Sequence, residues 1–186
     1  MQQKGAQPSA SRGRALSQER KPRLLREIDS SAEARVSLGI NEVDRLLGGG
    51  IVPGSLILIG GEPGIGKSTL SLQIPLGCPS LRTLYVTGEE SERQVKMRAD
   101  RLAAALPQGS AGECLIYCET CIDSVLEQAR GVAPDLMIVD SVQTMYTEAM
   151  ESTPGSVSQI KEVAAHLLST ATGSRATCSS SVPATL

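Results

Sequence analysis

Eight residues constrain this chain more than any others: Gly61-Glu62-Pro63-Gly64-Ile65-Gly66-Lys67-Ser68. They follow an apolar run, Ser55-Leu-Ile-Leu-Ile-Gly60, of the kind that forms a buried parallel strand. A helical stretch, expected over Lys67–Ile74, comes after them. Glycines at these spacings let backbone N–H groups curl around an anion without Cβ clashes. A helix N-terminus adds partial positive charge at the same point. Lys67 supplies a mobile cation, Ser68 a hydroxyl suited to a hard metal ion, and Thr69 continues the helix. The pattern G-x-x-x-x-G-K-[ST] between a strand and a helix is therefore read as a phosphate-binding loop. The bland alternative is a glycine-rich turn, and the flanking elements argue against it.

The remaining pattern sets the fold class. Leu84-Tyr-Val86, Leu115-Ile-Tyr117 and Leu136-Met-Ile-Val139 read as further strands. Val95, Ala99, Leu102, Ala103 and Leu106 recur at helical spacing, as do Ile122, Val125, Leu126 and Ala129. Val157, Ile160, Val163, Ala164, Leu167 and Leu168 mark a last helix. Strands alternating with helices predict an α/β domain with a mostly parallel sheet covered by helices. Pro75 is expected to end the helix after the glycine loop early, because proline lacks the N–H and crowds the preceding turn.

Acids at strand ends supply the second part of a phosphate chemistry. Asp140 closes the strand Leu136–Val139, where a Mg²⁺-organising carboxylate sits in nucleotidases of this kind. Glu89 and Glu90 follow the second strand at the same end of the sheet, placed for general-base activation of water. Glu89, directly after Gly88, is the preferred catalytic carboxylate, and Glu90 suits the N-terminus of the next helix.

Other side chains point less far. Cys118-Glu-Thr-Cys121 is a lone C-x-x-C with Cys114 nearby, while Cys78 and Cys178 are isolated. A structural zinc site needs a second pair, so zinc is not expected. His166, the single histidine, lies among apolar neighbours on the last helix and reads as packing. The three aromatic residues, Tyr85, Tyr117 and Tyr146, are too dispersed to form a base-stacking platform. No run is long and apolar enough to span a membrane, no signal peptide is evident, and five cysteines in 186 residues suit a reducing, cytoplasmic setting. Residues 1–26 carry seven basic residues and one acid, so a basic start precedes an acidic body. Residues 1–34 read as a flexible basic tail or linker, and an organelle transit peptide is the alternative.

A series of segments in chain order adds a resemblance. Leu38-Gly-Ile-Asn-Glu-Val-Asp-Arg-Leu-Leu-Gly-Gly-Gly-Ile-Val-Pro-Gly54, the glycine loop, Tyr85-Val-Thr-Gly-Glu-Glu-Ser91, Gln94-Val-Lys-Met-Arg-Ala-Asp100, Asp140-Ser-Val-Gln-Thr144 and Glu151-Ser-Thr-Pro-Gly-Ser-Val-Ser-Gln159 resemble the RadA (Sms) family of bacterial DNA-repair ATPases. The likeness runs from about Lys21 to Leu168. It implies a RecA-like ATPase domain, a homo-oligomeric ring, and action on single-stranded or branched DNA beside a recombinase. By that match Gly61–Thr69 would bind ATP, Lys67 and Glu89 would be catalytic, Ser68 and Asp140 would hold Mg²⁺, and Gln143 would be a candidate nucleotide sensor. Two other readings stay open: a nucleotide-binding remnant without catalysis, and a RecA-like ATPase of the clock-kinase type. The stretch Met150–Gln159 favours the repair family over the latter.

The departures set further expectations. The family's four-cysteine zinc finger and protease-like domain have no counterpart here. After Leu168 the residues Ser169–Leu186 lose apolar period, so 35–168 reads as a partial ATPase domain and 169–186 as an aperiodic, disordered tail. Such a break is what a reading-frame change near Thr170 would produce. The strand between the Asp140 strand and the glycine-loop strand is then expected to be missing. Unpaired groups on its neighbours would cost about 1–3 kcal/mol each, predicting weak stability and little ATPase activity.

Overall fold

The computed structural model describes residues 24–27, 34–106, 112–150, 152–173 and 177–183. The chain divides into two units, Met1–Ala32 and Glu33–Leu186. In the first, Leu25–Glu27 forms one 3-10 turn, with the Glu27 N–H donating to the Leu24 carbonyl at 2.9 Å. The expected basic tail otherwise lies outside the described residues.

In the second unit an apolar-run rule and a pairing rule together build the sheet. Five strands run parallel in the order β1-β5-β4-β2-β3. They are β1 Leu56–Gly61, β2 Thr83–Thr87, β3 Cys114–Cys118, β4 Leu136–Asp140 and β5 Thr177–Pro183. One row crosses the whole sheet: Leu58 pairs with Ser180, Ser180 with Val139, Val139 with Val86, and Val86 with Tyr117. Every strand therefore ends on the same edge.

The expectation of a missing rung is corrected by β5. Thr177–Pro183, within the region read as an aperiodic tail, forms the strand between β1 and β4 and pairs with both. The physical reason is that a ladder is made by backbone groups. Apolar side chains announce a buried strand, but they are not needed for its N–H and C=O groups to pair. The stability argument built on the gap loses its premise.

The helices cover both faces of the sheet. They are α1 Asn41–Leu46, α2 Lys67–Gly77, α3 Glu92–Ala103, α4 Ile122–Val132 and α5 Val157–Gly173. On α3 a reciprocal cap sets the start: the Ser91 hydroxyl accepts from the Gln94 N–H, and the Gln94 side chain accepts from the Ser91 N–H at 2.8 Å. Period-2 alternation then sorts the strand residues. Leu84, Val86, Met137 and Val139 pack with α4 and α5 through Ile122, Val125, Leu126, Val163 and Leu167. Tyr85, Leu136 and Ile138 point to the other side and pack with Leu72 and Ile74 of α2 and Val95 of α3. β2 is buried along its full length and β4 up to Asp140.

Two helix ends differ from expectation. Pro75 lies inside α2, which continues to Gly77. Only two residues follow the proline, so few hydrogen bonds are at stake, and Pro75 is itself buried in the packing. The Pro75 carbonyl also receives the Gly112 N–H at 3.2 Å. The last helix extends to Gly173, past the point where apolar spacing fades. Among the described residues no helix is long and apolar enough to cross a membrane.

Candidate phosphate-loop site

The glycine loop sits at the edge where all five strands end. β1 stops at Gly61 and α2 begins at Lys67, with Gly66 as N-cap residue. Gly64 and Gly66 have φ of +80° and +104°, the left-handed region that side chains resist. A Cβ built at either meets nothing within 4 Å, so the glycines are required by conformation and leave their backbone open. Glu62, Pro63 and Ile65 are exposed. The Lys67 ammonium folds back over the loop and donates to the carbonyls of Gly61 at 2.7 Å and Glu62 at 2.8 Å. Ser68 and Thr69 occupy the first turn of α2, whose N–H groups have no acceptor within the helix.

Asp140 and Glu89 meet at the same edge through different partners. Asp140 ends β4 opposite Thr87 of β2. Its Oδ2 accepts from the Tyr85 hydroxyl at 2.7 Å. Asp140 and the next residue, Ser141, are joined by a cis peptide bond. Ser141 donates from its hydroxyl to Oε1 of Glu89 at 3.0 Å, tying the turn after β2 to the residue that follows β4. The turn that carries Glu89 is itself pinned, because the Glu89 and Glu90 N–H groups approach the Thr87 hydroxyl at 3.4 and 3.3 Å.

Glu90 faces elsewhere. It forms an ion pair with Arg98 of α3, both side chains being largely covered. Glu90 was expected to serve the N-terminus of the next helix, but Ser91 is the cap of α3 and Glu90 pairs with Arg98 instead. Glu89 is exposed and turned to Ser141, and Glu90 ties the turn to α3. Gly88 between strand and turn is required by close approach: a Cβ there would lie 2.5 Å from Thr144 Oγ1 and 2.6 Å from Thr120 Cγ2.

Gln143 lies on a 3-10 turn, Val142–Thr144, immediately after Ser141. It is half-buried, with its carbonyl close to Gly155. Gln159, the last residue of the stretch after Met150, is buried and organises that loop. Its Oε1 accepts from the Thr147 N–H at 3.2 Å and its Nε2 donates to the Ser152 carbonyl at 2.9 Å.

Cys78, Cys114, Cys118 and Cys121 are free thiols. Burial pushes the Cys114 thiol up to about 11, and burial with the nearby Glu92 charge also raises that of Cys118. Neither is activated as a nucleophile. His166 is half-buried and 3.5 Å from Glu162 one turn away.

Three contacts were not anticipated from sequence: Tyr85 to Asp140, Ser141 to Glu89, and Arg98 to Glu90. For the first a signal existed. Tyr85 and Asp140 lie on one face once Tyr85 is registered against Ile138, but that register is not visible in one strand alone.

The residues present fit a nucleotide triphosphate with Mg²⁺. The loop offers an open backbone cradle and a cation already aimed across it. Ser68 and Asp140 are hard oxygen donors, and α2 packs beside β4. A parallel sheet with this loop after its first strand and an acid at the end of β4 defines a RecA-like P-loop ATPase domain. A family model described as "ATPase: KaiC" matches residues 36–111.

Along most of its length the chain is similar to DNA repair proteins named RadA. It is 45% identical over 165 residues to the DNA repair protein RadA of Pseudomonas aeruginosa, covering 88% of this chain and 35% of that protein. The RadA of Listeria monocytogenes is 44% identical over 146 residues, covering 77% of this chain and 31% of the relative. For that of Streptococcus pneumoniae the figures are 45% over 149 residues, 80% and 34%. The chain thus spans about a third of the length of the curated relatives it matches.

Proposed function

We propose that this chain binds ATP with Mg²⁺ and hydrolyses it, as the ATPase segment of a protein that processes branched intermediates in recombinational DNA repair. The observation that carries this reading is the convergence of the glycine loop, Asp140 and Glu89 on one sheet edge, with Glu89 and the Asp140 strand joined through Ser141. Gly61–Thr69 wrap the phosphates with backbone N–H groups. Lys67 leaves the Gly61 and Glu62 carbonyls for the β and γ phosphates, exchanging two neutral acceptors for charged ones. Ser68 and Asp140 would hold Mg²⁺, which when bound would neutralise charge developing on the transferred phosphoryl group. Glu89 orients the attacking water and accepts its proton. Gln143, three residues beyond the strand end as part of the 3-10 turn, reports the nucleotide state to the loop that contains Gly155.

DNA, a recombinase partner and a homo-oligomeric ring enter this proposal from the family alone. A basic segment within residues 1–26 is the part of this chain suited to phosphate contacts. A deletion of residues 1–26 that flattens the salt dependence of DNA affinity would support that role.

The test is phosphate release by the purified chain with Mg²⁺ and ATP, with and without branched DNA. Lys67→Ala is expected to abolish nucleotide binding. Glu89→Gln is expected to preserve binding and lower turnover by about 10²–10⁴-fold. Nucleotide binding unchanged in Lys67→Ala would overturn the reading. Binding without hydrolysis in the unsubstituted chain would favour the non-catalytic alternative.

A further inference from the structure

Tyr85 occupies the middle of β2, on the face that packs against α2 and α3. It is fully buried, and a phenylalanine would fill almost the same volume. What phenylalanine lacks is the hydroxyl, and that hydroxyl donates to Asp140 Oδ2 at 2.7 Å. The register explains how the contact arises. Tyr85 pairs with Ile138, so Asp140 is the diagonal neighbour one step along on the same face, within reach of a long aromatic side chain. An ionised carboxylate can only accept, so in this pair the Tyr85 hydroxyl is the donor and Asp140 the acceptor.

A carboxylate hung from one Cβ–Cγ bond rotates, and a cation site needs one orientation. A hydrogen bond to one oxygen fixes that torsion and with it the direction of the other. We propose that Tyr85 is the positioning residue of the divalent-cation site: its hydroxyl sets the Asp140 carboxylate for the metal, so cation affinity depends on it while nucleotide affinity does not. The proposal rests on the phosphate-site reading above, in which Asp140 is the metal carboxylate. Partners that orient a metal ligand commonly change metal affinity by about 10–100-fold when removed.

The experiment uses the full 186-residue chain with Tyr85→Phe, Asp140→Asn and Lys67→Ala. Two affinities are measured separately. A fluorescent ATP analogue is titrated in EDTA for metal-free nucleotide binding. Mn²⁺ is titrated in the presence of ADP and followed by electron paramagnetic resonance. All variants are compared in trimethylamine N-oxide, which favours the folded state, and their far-UV spectra are matched first.

Tyr85→Phe is expected to weaken Mn²⁺ by about ten-fold and to leave nucleotide affinity in EDTA unchanged. Equal Mn²⁺ affinity in Tyr85→Phe and the unsubstituted chain, with Asp140→Asn defective, overturns the positioning role and leaves the site reading standing. A parallel fall of both affinities in Tyr85→Phe also overturns it, because that marks general damage. If Asp140→Asn and Lys67→Ala change neither titration, the site reading fails, and the positioning role fails with it.

Discussion

β4 and β5 are neighbours in one sheet built from very different side chains. β4 reads Leu-Met-Ile-Val-Asp and is buried from Leu136 to Val139. β5 reads Thr-Cys-Ser-Ser-Ser-Val-Pro and pairs on both sides, with β1 and β4. The difference separates two things that a strand contributes. One is apolar area withdrawn from water, worth roughly 25 cal/mol per Å². The other is a row of backbone donors and acceptors that would otherwise go unpaired. β4 supplies both, whereas β5 has the ladder with little apolar sequence to go with it.

That contrast can be broken experimentally. The largest effect is expected from Ile138→Ala, in the fully buried centre of β4, which should lose about 2–5 kcal/mol of stability in a denaturant titration. Ser180→Pro removes a ladder donor in the row that joins Leu58 to Val139 and should lose about 1–3 kcal/mol. If it costs nothing, the β5 ladder is not holding the sheet together. Ser179→Val should raise the thermal midpoint, by a stabilisation of at most about 1 kcal/mol; a fall would mean that this position tolerates only a small polar residue.

A further expected effect is confined to alkaline pH and belongs to β3 at the far edge. Burial raises the Cys114 thiol from about 9 to about 11. Below pH 9 the thiol is neutral in both folded and unfolded chains and has no linkage effect. Between pH 9 and 11 the unfolded chain loses the proton first, so stability falls as pH rises. Cys114→Ala should make this limb shallower when unfolding is followed against pH. A limb of unchanged slope would assign the alkaline loss to other groups, of which the raised Tyr85 phenol is one.

How far the sequence could be read follows the same division. The glycine loop was legible because its chemistry is local: glycines, lysine and serine act within eight consecutive residues. β4 and Asp140 were legible because an apolar run and a terminal acid are both visible in one segment. The strand Thr177–Pro183 was not legible because pairing leaves no trace in side-chain hydropathy. The early stop at Pro75 failed because burial near a helix end outweighs the loss of one donor. Tyr85 and Ser141 could not be tied to the carboxylates without the register between β2 and β4, which is a property of two strands together.

The packing at Gly88 has a mechanical consequence. A side chain at position 88 would run into Thr144 of the 3-10 turn and Thr120 of the segment leading into α4, so the end of β2 passes close to both. Glu89 is the next residue along, and Ser141 holds its tip. Any substitution at Gly88 would therefore spread the two segments between which the Ser141–Glu89 contact is made.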